Sequence, residues 1–196
     1  MKAAIPEASQ NYRAEFLAFR SALSEESDRG CVLFAAAYLD TALEGLFRAS
    51  VLEEKKIDEE LFEGSAPLAT FSGRIKLAYY FGFISAEFRA DLETIRKIRN
   101  DFAHNATILS FDTQSIADRC RNLGFSYHEP DARPRAHFTS AVTGLVSTIC
   151  VLTLNAKRAT PKPDDRPSDE QKAAVRKIIQ AAAETAMQTV QEKPAQ

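Results

Sequence analysis

The 196-residue sequence predicts an all-α protein: a single helical-bundle domain, a Pro-rich linker and a C-terminal amphipathic helix. Three observations carry that expectation. Only 7 glycines interrupt stretches rich in alanine and leucine, which are strong helix formers. Apolar residues recur three and four positions apart in segment after segment, and no alternating stretch outlasts a short isolated run. Hydrophobic residues make up 45% of the chain and charged residues 27%, which supplies a sizeable core and argues against wholesale disorder.

The first helix is expected over Gln10 to Leu23, where Tyr12, Phe16, Phe19 and Leu23 follow at spacings of four, three and four. After the polar break SEESDRG, Cys31 to Ala49 is apolar on most of its circumference except at Asp40, Glu44 and Arg48, so that helix belongs at the centre. Acids, lysines, Gly64 and Pro67 mark a connection, with a short helix around Ile57 to Phe62. In FSGRIKLAYYFGFIS, Ser72 is the expected N-cap, Ile75, Leu77, Ala78 and Phe81 pack inward, and Gly82 lies near the C-terminus. Ser85 opens the next helix, whose Phe88, Leu92, Ile95, Ile98 and Phe102 form the clearest apolar stripe in the chain. A short helix from Thr113 to Leu123 should end at Gly124, where a C-terminal glycine fits.

A charge-free helix from about Ala136 to Ala156 completes the core. Its segment Phe138 to Asn155 is interrupted by Thr139, Ser140, Thr143, Ser147, Thr148 and Thr153, and is short for a membrane span, so it reads as buried core. Pro161, Pro163 and Pro167 then define a linker. Ser168 and Gln171 form a capping box for a final helix. The apolar face of that helix (Val175, Ile178, Ile179, Ala182, Ala186, Met187 and Val190) needs cover from its own core, a second copy or a partner. The chain thus divides into a core domain, 1–158, a linker, 159–167, and a C-terminal helix, 168–196.

A formal net charge of −2 provides no global positive field for phosphate backbones, so any nucleic-acid contact must be local. Cys31, Cys120 and Cys150 are an odd number at long spacings, and no signal-peptide pattern opens the chain; reduced, buried thiols in a cytoplasmic protein are expected. The sequence has no Gly-rich phosphate loop, Cys-x-x-Cys, His-Glu-x-x-His or Gly-x-Ser-x-Gly elbow. His104, His128 and His137 are too widely spaced for a recognisable metal motif, so neither metal nor cofactor is expected. Asp40 and Glu44 share one helix face, and the simplest role for them is an ion pair with Arg74 or Arg99. Arg133 and Arg135, beside Pro134, read as a solvated loop.

The strongest candidate site is IRKIRNDFAH, Ile95 to His104. Arg96, Asn100 and His104 form a polar ridge along the flank of the stripe, while Arg99 lies nearer the core. On a straight helix Arg99 and His104 point about 140° apart. They share a substrate only if the helix unwinds or a second subunit supplies its own copies.

RNDFAH resembles the R-x4-H signature of HEPN domains, all-helical dimers that include metal-independent endoribonucleases. That resemblance implies a scissile phosphate held by Arg99, proton transfer or orientation by His104, and positioning by Asn100; Arg96 is then a candidate substrate contact. A wider resemblance rests on CVLFAAAYLDTALEGLF, PLATFSGRIKLAYYFGFIS and LETIRKIRNDFAHNATILSFD in that order. From about Asp28 to Ile116 the chain is similar to the MltR family, the mannitol operon repressor-like proteins. This implies an all-helical regulator of transcription without a recognisable helix-turn-helix.

The leading expectation is therefore a cytoplasmic, dimeric, MltR-like regulator that represses through protein contacts. A HEPN-type ribonuclease, with RNA as substrate, and a non-catalytic scaffold are the alternatives. In a regulator the same cluster has a structural reading, with Arg99 pairing Asp40 or Glu44 and His104 capping its helix. Direct sequence-specific DNA binding is disfavoured by the missing basic stripe, and no membrane partner is expected.

Overall fold

The structure, a computed structural model, describes residues 7–106 and 108–191. Tyr12, Met187 and Val190, named above for their helix faces, lie outside the residues whose side chains are described. The helices are α1 (Glu7–Glu25), α2 (Asp28–Ser50), α3 (Lys55–Phe62), α4 (Phe71–Tyr80), α5 (Ala86–His104), α6 (Gln114–Arg121), α7 (Pro134–Leu154) and α8 (Asp169–Gln191). No strand occurs among the described residues. The chain divides into two units, one running to Ala159 and one beginning at Thr160.

In the first unit α2 and α7 pack along one another at the centre, α5 lies on α2, α4 bridges α2 and α5, and α6 covers α7. The apolar stripe of α5 does what its spacing predicts: Phe88, Leu92, Ile95, Ile98 and Phe102 are all buried. Burying such side chains contributes roughly 1.5–3 kcal/mol each. The same helix buries Asp91, whose carboxylate accepts the N–H groups of Gly124 at 3.1 Å and Phe125 at 2.8 Å. Helix α2 starts at Ser27, whose hydroxyl accepts the N–H of Gly30.

Both α2 and α7 are long and apolar enough to cross a membrane by length and composition. Their inner faces are spent on the bundle: Leu39 and Leu43 of α2 and Phe138, Ala141 and Leu145 of α7 are fully buried. The hydroxyls of α7 are satisfied locally. Thr139, Thr143, Ser147, Thr148 and Thr153 each donate to the carbonyl four residues earlier, at 2.7–3.0 Å.

Several helix ends differ from the sequence expectation. Thr70, not Ser72, caps α4, because Thr70 is extended and its hydroxyl accepts the N–H of Gly73 at 3.1 Å, whereas Ser72 already lies in the first turn. Gly82 ends α4 in the left-handed conformation, φ +73, as Phe83 N–H reaches the carbonyl of Ala78 and Gly82 N–H that of Tyr79. Gly124 has no such role: α6 already ends at Arg121, and the Gly124 N–H goes to Asp91. Helix α7 begins earlier than expected, with Pro134 in its first turn, where a missing N–H does no harm.

In the second unit the capping box of α8 is formed, Ser168 N–H donating to Gln171 at 2.8 Å and Gln171 N–H to Ser168 at 3.2 Å. Val175, Ile178 and Ile179 on this helix are exposed.

Candidate functional site

Helix α5 stays helical through His104, so its R-x4-H residues keep the divergence of about 140° that 100° per residue imposes. The individual side chains then separate into bound and unbound groups. Arg96 is held by Glu93 through two hydrogen bonds, at 2.9 and 2.8 Å. Asp101 is held by Arg119 of α6 at 2.5 Å. Arg99 and Asn100 are half-buried and His104 is exposed, and none of the three has a hydrogen bond or ion pair among the described residues. Arg29 of α2, rather than His104, serves the C-terminus of α5, donating to the Asn105 carbonyl at 3.0 Å. A cation there meets the negative end of the helix; Arg29 and His104 are both exposed, and Arg29 is the one that bonds the terminal carbonyl.

The acids of α2 are paired with Arg74, not Arg99. Arg74 is only 6% exposed and donates through one terminal nitrogen to Asp40 at 2.6 Å and through the other to Glu44 at 2.5 Å. Glu44 also receives Arg48 at 2.8 Å, and Arg48 lies over the Phe62 ring at 4.2 Å, which extends the network to α3. Arg74 wins because α4 crosses α2 at that level, whereas Arg99 lies one turn from the end of α5 where Arg29 of α2 reaches it. These groups lock helices together. They present no pair of carboxylates for acid–base work.

Arg135 corrects the solvated-loop expectation, while Arg133 is exposed as expected. Half-buried at the start of α7, Arg135 pairs with Asp28 at 2.8 Å and donates to the carbonyls of Leu23 and Glu26, closing the end of α1. Asp28 in turn accepts the N–H of Phe111 at 3.0 Å. The signal was absent from the local sequence, since the Asp28–Arg135 pair is separated by 107 residues.

Two of the grooves on this unit differ sharply in their lining. One, about 470 Å³, lies between α2 and α7 and is lined by Phe34, Ala37, Tyr38, Thr41, Gly45 and Ile149 among others, with no charged side chain. Half-buried Cys150 belongs to this lining, whereas Cys31 and Cys120 are fully buried. Burial raises the Cys31 thiol to about 11 and the Cys120 thiol to about 12, against an ordinary 9.0.

The second groove, about 360 Å³, is polar and has the hydroxyl face of α7 as its floor, the end of α1 as one wall and Tyr127 and His128 as the other. The loop carrying Tyr127 is pinned down: its N–H donates to Ser140 at 3.1 Å, and the Ser126 hydroxyl bonds Nδ1 of buried His137 at 2.8 Å. Nε2 of His137 is buried without a partner among the described residues. Gly144 lets the loop lie this close, because a Cβ there meets the Phe125 carbonyl oxygen and the Tyr127 ring at 3.3 Å. Sequence reading missed this groove, having taken the hydroxyls only as breaks in an apolar run.

Among the described residues the first unit is an all-helical bundle that carries an apolar groove and a polar groove on its surface. The mannitol repressor family, MtlR, matches residues 30–143, more than half of the chain, and the chain belongs to that family of repressor-type regulators. The match runs past the blocks recognised in the sequence and into α7. Among solved structures, the X-ray structure of the MtlR-HPr complex from Escherichia coli resembles it with a TM-score of 0.61 at 21% identity, over 69% of this chain and 98% of that one. At that identity the likeness establishes the fold. No protein of curated function matches the chain.

Proposed function

We propose that the protein is a cytoplasmic, homodimeric regulator that represses through protein contacts, with HPr as a partner, as in the Escherichia coli complex. The observation that carries this reading is the uncharged groove between α2 and α7. Apolar, aromatic-edged faces suit protein partners, whereas DNA needs clustered cations, and the chain has net charge −2. The test uses Gly45, whose added Cβ meets nothing within 4 Å. Gly45→Arg therefore fits the folded monomer, while its long charged side chain occupies the groove. Calorimetric titration of the full chain with HPr should show binding, weakened at least tenfold in Gly45→Arg at unchanged thermal stability. Light scattering should give the mass of a dimer. Absence of HPr binding by the wild type, or a specific gel shift of operator DNA by the protein alone, overturns the reading.

Arg99 favours a second reading. It is a half-buried arginine without a bound partner among the described residues, as an arginine awaiting a phosphate is. A metal-independent ribonuclease built on Arg99, Asn100 and His104 requires a second copy, since one helix sends Arg99 and His104 apart. RNA cleavage in EDTA that is lost in His104→Ala supports it; an inert wild-type protein removes it.

A further inference from the structure

Every described side chain of α8, from Asp169 to Ala186, is exposed, the apolar Val175, Ile178 and Ile179 included. A helix alone in water draws little stability from its own backbone, so an apolar stripe of this kind is held by whatever packs on it. The stripe also says what that is, because its large and small residues are sorted along the axis. Val175, Ile178 and Ile179 occupy the earlier turns, and Ala182, Ala183 and Ala186 the turns that follow.

A second copy of α8 matches that gradient in one orientation. Laid parallel, β-branched side chains meet each other at one end and alanines meet alanines at the other. Packed helix axes lie about 8–10 Å apart according to the side chains between them, so a parallel pair splays or leaves a gap along its alanines. Laid antiparallel, the register that sets Val175 beside Ala186 also sets Ile178 level with Ala183 and Ile179 level with Ala182. Large then faces small along the whole of this stretch, as close packing requires.

Charge favours the same orientation. Lys172, Arg176 and Lys177 fall within two turns. Parallel copies bring both sets to one level. In the antiparallel register the centres of the two sets lie about 18 Å apart along the axis, beyond the roughly 8 Å over which exposed charges act at physiological salt.

We propose that α8 is the surface through which two copies of this chain associate, as an antiparallel helix pair that seats Val175, Ile178 and Ile179 of each copy against the alanines of the other. The inference rests on the homodimer reading and gives it a place in the chain; it makes no use of the α2/α7 groove.

Sedimentation equilibrium of the full chain should give a dimer. Ile179→Glu, which puts a charge into the stripe at an exposed position, should raise the dissociation constant at least tenfold while the thermal unfolding of the first unit stays unchanged. Orientation is read with a short bismaleimide in a Cys150→Ser background, where the remaining Cys31 and Cys120 are buried. Val175→Cys and Ala186→Cys proteins should each stay uncross-linked alone and cross-link when mixed. Like-with-like cross-links or none, or an Ile179→Glu protein that dimerises as tightly as the wild type, overturn the proposal and leave the homodimer reading standing. A monomeric wild type removes both. Should Ile179→Glu not fold, the cross-linking pattern decides.

Discussion

Removing the Arg74 guanidinium strands two carboxylates at the crossing of α2 and α4. Arg74 makes charge-assisted bonds of 2.6 Å to Asp40 and 2.5 Å to Glu44. Bonds of that kind contribute roughly 1.5–3 kcal/mol each, about 3–6 kcal/mol for the pair. Two features reduce the figure. The Asp40 and Glu44 side chains are 30% and 28% exposed, so water takes over part of their solvation, and Glu44 keeps Arg48. Arg74→Met, which conserves the stem, is therefore expected to destabilise the first unit by about 2–3 kcal/mol, below the 3–5 kcal/mol typical of a fully buried broken pair. Arg74→Lys reaches one carboxylate instead of two and should fall about midway. Urea unfolding followed by near-ultraviolet circular dichroism reports the packing of this unit directly. In the cycle with Asp40→Asn, the two substitutions should couple. A loss under about 1 kcal/mol for Arg74→Met, or additivity with Asp40→Asn, refutes the view that this guanidinium joins the helices.

Gly82→Ala places a Cβ at φ +73 and should lower stability by roughly 1–2 kcal/mol, read from the same urea transition. Asp91→Asn leaves one of the N–H groups of Gly124 and Phe125 without its carboxylate oxygen; amide exchange at those two positions should accelerate about tenfold, with a loss of roughly 1–2 kcal/mol. Thiol reagents applied to the native protein at mildly alkaline pH should reach Cys150 first and the buried Cys31 and Cys120 only on unfolding. Above the ordinary thiol value of 9.0 the unfolded chain loses those protons first, while the folded chain keeps them to about 11 at Cys31 and about 12 at Cys120. Their contribution to stability is thus complete below about pH 9 and declines as pH rises through that window; a Cys31→Ala, Cys120→Ala protein should show a shallower alkaline decline.

What the sequence made legible was local or periodic. The stripe of α5, the capping box at Ser168 and Gln171, and the Ser85 cap all lie within one or two turns of their partners. Asp40 and Glu44 declared themselves as needing a cation, because acids four apart on an apolar helix do, yet the choice of Arg74 over Arg99 was made by helix packing. Arg29 and Arg135 bond partners 76 and 107 residues away, and no local pattern announces that. The hydroxyls of α7 were visible, but their arrangement into a groove depends on a loop held by Asp91, Ser140 and His137. The candidate cluster on α5 was found by motif, and the fold then divided it: Arg96 and Asp101 are engaged, whereas Arg99, Asn100 and His104 are not, among the described residues.

Helix α2 inverts the usual arrangement of an amphipathic surface helix, and the inversion gives the contact reading its physical basis. An ordinary surface helix turns its charges to water. Here each charged side chain of α2 has a partner within the chain: Asp28 holds Arg135, Arg29 the end of α5, Asp40 and Glu44 hold Arg74, and Arg48 joins Glu44 and Asp58. Besides Arg29 and Arg48, which are exposed but paired, the outward positions are Leu33, Phe34, Ala37, Thr41 and Gly45, next to exposed Val151 and Leu154 of α7. Water gains nothing from that face, and the small residues along it leave a cleft rather than a ridge. A helix whose ions are all paired within the chain and whose outer stripe is largely apolar is stabilised further by whatever protein surface covers that stripe, at roughly 25 cal/mol for each Å² of apolar area removed from water. That differential is what a regulator needs to act by contact, and it is why a single arginine at Gly45 is the sharpest test of how this protein works.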